Sequence, residues 1–95
     1  MDPRLAEIIR FLNQANVRAT YGAVAGVLGV VPQSMGARLG PHAMERSWIV
    51  NARTGRPTGY TADNIHPALT SNPEIVTTSE ELRHRMKRMK HRPSL

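Results

Sequence analysis

Ninety-five residues make one small domain, which buries about 60–70% of the surface of its unfolded chain and so supports one modest core with no deep cofactor cavity. The absence of cysteine excludes disulfides, thiolate metal sites and cysteine nucleophiles together. A formal charge of +6 points to a polyanionic partner or a solubilising surface, two readings that charge alone does not separate. No apolar run approaches the ~20 residues that span a bilayer, and Met1-Asp2-Pro3 does not open a signal peptide. No membrane partner and a cytoplasmic location are therefore expected.

The charge is unevenly placed. Arg83, Arg85, Lys87, Arg88, Lys90 and Arg92 follow Leu82 with no acid among them, and the seven remaining bases and seven acids cancel. Within that neutral body Arg18, Arg38, Arg46, Arg53 and Arg56 stand between residues 18 and 60 against the single acid Glu45. A basic surplus confined to one segment is the footprint of a nucleic-acid-binding face.

In chain order, Asp2-Pro3 forms an N-cap and first-turn pair, and Leu5, Ile8, Ile9 and Leu12 recur at helical spacing, which predicts an amphipathic helix over 3–14. Phe11 widens its apolar stripe. Residues 13–16 read as a turn and 17–19 as a short extended lead into Thr20. Thr20 is a good N-cap, Ala23, Val24, Val27 and Leu28 follow at helical spacing, and Gly29 suits the left-handed residue that ends a helix. Pro32 opens a second short helix over 32–39 that stops at Gly40-Pro41. Two helices joined by so short a turn read as a helix-turn-helix. The second carries Gln33, Ser34 and Arg38 and little apolar surface beyond Met35 and Leu39, the composition of a presented helix. Gln33 and Ser34 are expected to enter a groove, because an amide hydrogen-bonds base edges and a hydroxyl suits base or phosphate, and Arg38, Arg46, Arg53 and Arg56 are expected to meet backbone phosphates.

Ser47-Trp48-Ile49-Val50 reads as a strand, 51–56 as a turn with Arg53 and Arg56 near its tip, and 58–60 as a short return strand that Pro57 confines to an edge. A basic hairpin directly after a helix-turn-helix is the pattern of a winged helix. Tyr21 is either a ring at the core's edge or one aimed at a phosphate, and Trp48 either a core anchor or a base-stacking platform. Ile75-Val76 is a candidate third strand. Thr78 and Glu81 have the spacing of a capping box, and Leu82, Met86 and Met89 continue a last helix over 79–90 with cationic outer faces. That helix is a solvated face, a phosphate clamp or a seat for an acidic protein partner.

His42, His66, His84 and His91 lack metal-binding spacing, the acids are scattered, and no serine sits in a nucleophile elbow. No metal, cofactor or catalytic residue is expected. The expected fold is α+β, mostly helical and winged helix-turn-helix like, with residues 1–77 as the DNA-binding unit and 78–95 as a basic helix and tail.

TYGAVAGVLG, PQSMGARLG and the SWIVNARTG stretch resemble the DNA-binding domain of the O6-alkylguanine-DNA alkyltransferases and, more closely, the alkyltransferase-like proteins that lack the reactive cysteine. The resemblance spans roughly residues 17–55. It implies that Tyr21 helps rotate a target nucleotide, and that the helix-turn-helix enters the minor groove beside a pocket near Trp48. The family's intercalating arginine falls on Gln33. Its cysteine falls on Arg46 without gaps, and its alkyltransferase-like tryptophan on Trp48 with a small one. The implied function is recognition of alkylated bases in double-stranded DNA for repair, without alkyl transfer, since no sulfur accepts the group. The alternatives are a winged-helix transcriptional regulator of undamaged DNA and a protein-interaction module with a cationic tail.

Overall fold

Asp2 accepts from the amide of Arg4 at 2.8 Å, Pro3 follows at the first helical position, and the apolar stripe of Leu5, Ile8, Ile9, Phe11 and Leu12 is buried, so α1 spans Pro3–Ala15. It runs one residue beyond the expected end, closed by Asn16 in the left-handed conformation (φ 53°). The structure, a computed structural model, describes residues 2–40, 43–61, 63–69 and 71–90, and of 89 and 90 the backbone alone. Pro41, His42, His91, Arg92 and the side chains of Met89 and Lys90, each named in the expectations above, lie outside the described residues.

β1 (Arg18–Thr20) leads into α2 (Tyr21–Leu28). Thr20 caps α2 by accepting from the amide of Ala23 at 3.1 Å, and Gly29 ends it at φ 72°. The second helix of the pair begins as a 3-10 turn over Pro32–Ser34 and continues as α3 (Met35–Leu39). A further 3-10 turn over Met44–Arg46 precedes β2 (Ile49–Val50), and β3 (Ile75–Val76) precedes α4 (Ser79–Lys90). The capping box at α4 forms, with the Glu81 amide donating to Thr78 Oγ1 at 3.2 Å.

The fold is α+β and about half helical, and its radius of gyration, 12.6 Å, matches the ~12 Å of one compact domain of this length. The sheet differs from the expected wing. Its order is β2-β1-β3 and both pairings are parallel, with Ala19 opposite Ile49 and Val76. No return strand forms over 58–60, because residues 51–56 close into a turn of their own and Gly55 and Gly59 (φ 69° and 78°) carry the chain away from an antiparallel path. The expected basic hairpin is thus a loop that follows a parallel strand.

α4 belongs to the same core as residues 2–77, since Leu82 is sealed against it. Gly26 permits the close approach of α2 and α4: a Cβ there would stand 2.6 Å from Ser79 Cβ. Arg85 fastens α4 to the lead of β3, donating through Nη1 to Glu74 at 2.9 Å, through Nη2 to the same carboxylate and through Nε to Glu81 at 2.9 Å. No helix among the described residues is long and apolar enough to cross a membrane.

Candidate nucleic-acid interface

The capped start of α2 places Tyr21 at the meeting point of two concavities. The first, about 420 Å³, is walled on one side by Pro32, Met35, Gly36, Leu39 and Gly40 and on the other by Thr58, Gly59 and Tyr60. Its volume lies within the ~300–1,000 Å³ of small-ligand sites. Met35 and Leu39 turn their side chains inward and are buried, as their spacing predicts, and Gly36, which lines the cleft without a side chain, leaves the wall open. A Cβ on Gly36 would meet nothing within 4 Å.

Two tyrosine hydroxyls hold the far wall in place. Tyr21 Oη accepts from the amide of Thr58 at 2.9 Å, which leaves its own hydrogen to donate. Tyr60 Oη donates to the carbonyl of Ala43 and accepts from its amide, both at 3.2 Å. Burial raises the Tyr60 phenol above its ordinary value, more than the Ala43 hydrogen bond lowers it, so the hydroxyl is neutral at physiological pH.

The second concavity, about 480 Å³, lies over the N-terminus of α2, between Gly22, Gln33, Asn51 and Thr77. No acid occupies the first turn of α2. The helix dipole favours an anion there. The adjoining turn is rigid: Asn51 Oδ1 accepts from the Arg53 amide at 2.8 Å, and Thr54 Oγ1 from the Arg56 amide at 3.1 Å. Arg18 ties this turn to the sheet, giving Nη1 to the Gly55 carbonyl at 2.8 Å and Nη2 to the Asn72 carbonyl at 3.3 Å. It is a structural cation, not a member of the exposed basic face.

Of the residues expected to contact DNA, Tyr21 lines both concavities and Gln33 the second, while Arg38, Arg53 and Arg56 are exposed. Ser34 does not present a free hydroxyl. Its Oγ donates to the Val31 carbonyl at 2.7 Å, closing the 3-10 turn, and accepts from Arg38 Nε at 3.0 Å, so its role is to orient Arg38. Arg46 is half-buried, with Nη1 beside Gly40 and its charge acting on Tyr60, two residues that line the first cleft.

Trp48 is 0% exposed and is not a base-stacking platform. Its Nε1 donates to Asn13 Oδ1 at 3.0 Å, and its ring lies 4.8 Å from that of His66, tilted by 44°. Asn13 also gives Nδ2 to the carbonyls of Ile9 and Glu45, stitching α1 to the 44–48 segment. The cleft beside Tyr21 and Tyr60 does not include the buried Trp48 among its lining residues. Gly36, Gly40, Gly59 and Tyr60 are cleft residues that the sequence reading did not single out, although an aromatic after the Gly-rich 51–59 stretch was the available signal.

Among the described residues no group of three or more histidines, aspartates or glutamates is placed to hold a metal. Comparison with protein-family models, with curated proteins and with solved structures finds no match.

Proposed function

We propose that this protein binds double-stranded DNA without acting as an enzyme, and that it seats an alkylated base such as O6-alkylguanine in the cleft between Tyr21, α3 and Tyr60. The observation that carries this reading is the cleft itself, an aromatic- and glycine-walled recess that shares Tyr21 and Pro32 with the second concavity, where Gln33 is exposed. Arg38, Arg53 and Arg56 neutralise backbone phosphates, one phosphate lies over the α2 N-terminus, and the Tyr21 hydroxyl donates to the target nucleotide's backbone. Gln33 enters the groove where the family it resembles carries an arginine.

The energetics favour lesions. Extruding a base costs a few kcal/mol, least for a mispaired or damaged one, whereas stacking on an aromatic ring returns about 1–3 kcal/mol. The two nearly cancel, so a base that is already poorly paired tips the balance. Alkyl transfer has no acceptor, because the chain contains no cysteine. The expected wing supported both DNA-binding readings alike, and the parallel sheet removes that support from both.

The test is an anisotropy titration of a duplex carrying one O6-methylguanine and of its matched guanine control, at several salt concentrations. With about three phosphates neutralised, log affinity falls against log salt with a slope of roughly −3, and the lesion duplex binds more tightly. Equal affinity for the two duplexes overturns lesion recognition, and a flat salt response overturns DNA binding.

A further inference from the structure

A third concavity, about 280 Å³, shares no residue with the two described above and lies at the other end of α2, between α1 and α4. Its floor is apolar, made by the buried Ile8 and the half-buried Val27 and Met86. Its rim is cationic, made by Arg4, Arg83 and Lys87, all exposed, with Glu7 the one acid among the lining residues. Two of these cations are held in position from below: Arg4 Nη2 donates to the Leu28 carbonyl at 3.1 Å and Arg83 Nη2 to the Gly26 carbonyl at 3.4 Å. Each thereby caps the negative C-terminal end of α2 with one nitrogen.

We infer that this groove is the docking site for an acidic amphipathic helix of a partner protein, which buries one or two apolar side chains on Ile8, Val27 and Met86 and sets carboxylates against Arg4, Arg83 and Lys87. The inference stands apart from the nucleic-acid reading and uses none of its residues. Charge complementarity selects the occupant. A second copy of this chain would bring the same cationic rim against itself in a two-fold contact. A phosphate backbone would gain nothing from an apolar floor that helix side chains fill at i, i+3 and i+4. The partner and the DNA can bind together, because their sites lie at opposite ends of an eight-residue helix.

The experiment uses the full chain and a fluorescent synthetic peptide of roughly 15 residues, long enough to form a helix, with leucines at helical spacing among glutamates. The control peptide has the same composition with the leucines redistributed. The patterned peptide is expected to shift the methyl resonances of Ile8, Val27 and Met86 and to bind at least about tenfold more tightly than the control, and the R83E/K87E variant is expected to lose about tenfold or more. Should the double variant fail to fold, Lys87→Glu alone, at an exposed position, is expected to weaken the patterned peptide selectively. Equal binding of both peptides, unmoved methyls, or the same methyl shifts on adding plain duplex DNA overturns the proposal.

Discussion

At the scale of single residues, burial separates anchors from contacts. Trp48 sits at 0% exposure with its one donor satisfied by Asn13. Trp48→Ala is expected to lower stability by about 3–5 kcal/mol in urea unfolding, and wild-type tryptophan emission should keep its wavelength on DNA binding. Arg38→Ala, by contrast, should leave stability within about 0.5 kcal/mol and reduce the salt slope by about one, read from the same anisotropy titrations. Gly36→Leu adds a side chain to open space, so it should fill the cleft and weaken lesion binding while the urea midpoint holds. The exposure of Gln33 and Arg38 was legible because Met35 and Leu39 mark the inward side of their segment. The role of Ser34 was not, because a hydroxyl that bonds its own turn has the same spacing as one offered to a ligand.

At the scale of elements, caps and apolar periodicity made α1, α2 and α4 readable within a residue or two. The sheet was not readable. Each strand is two or three residues long, and the partners of Ala19 lie at Ile49 and Val76, so no local pattern encodes the pairing. A turn rich in Gly, Pro and Arg after Val50 then read as a hairpin. Two consequences of the packing are measurable. Gly26→Ala gains helix propensity of about 1 kcal/mol, yet the added carbon meets Ser79 Cβ at 2.6 Å. Overpacking costs about 1–3 kcal/mol, so the net effect should be destabilising, with a lowered urea midpoint. The second concerns Glu74, whose carboxyl the Arg85 guanidinium holds below its ordinary value of 4.5. A depressed folded-state pKa contributes stability above pH 4.5 that is lost as pH falls through the folded value. Glu74→Gln should therefore unfold with less dependence on pH in the acid range than wild type, in thermal scans at stepped pH.

At the scale of the molecule, the cations fall into two groups, and the run after Leu82 alone carries the net charge of +6. Arg38, Arg53 and Arg56 are exposed on α3 and the 51–56 turn, while Arg4, Arg83 and Lys87 rim the groove at the C-terminal end of α2. That division was half legible: the cationic run after Leu82 is plain in the sequence, but its docking against α1 and α2 through Leu82 and Met86 depends on Gly26 admitting Ser79. The account turns on whether the Tyr21, Gly36 and Tyr60 recess receives a base. The most direct measurement is the emission of 2-aminopurine placed beside an O6-methylguanine in a duplex, recorded as protein is added. The account predicts a rise with wild type, as the neighbouring base leaves the stack, and none with Gly36→Leu. Binding of wild type with unchanged emission would contradict it.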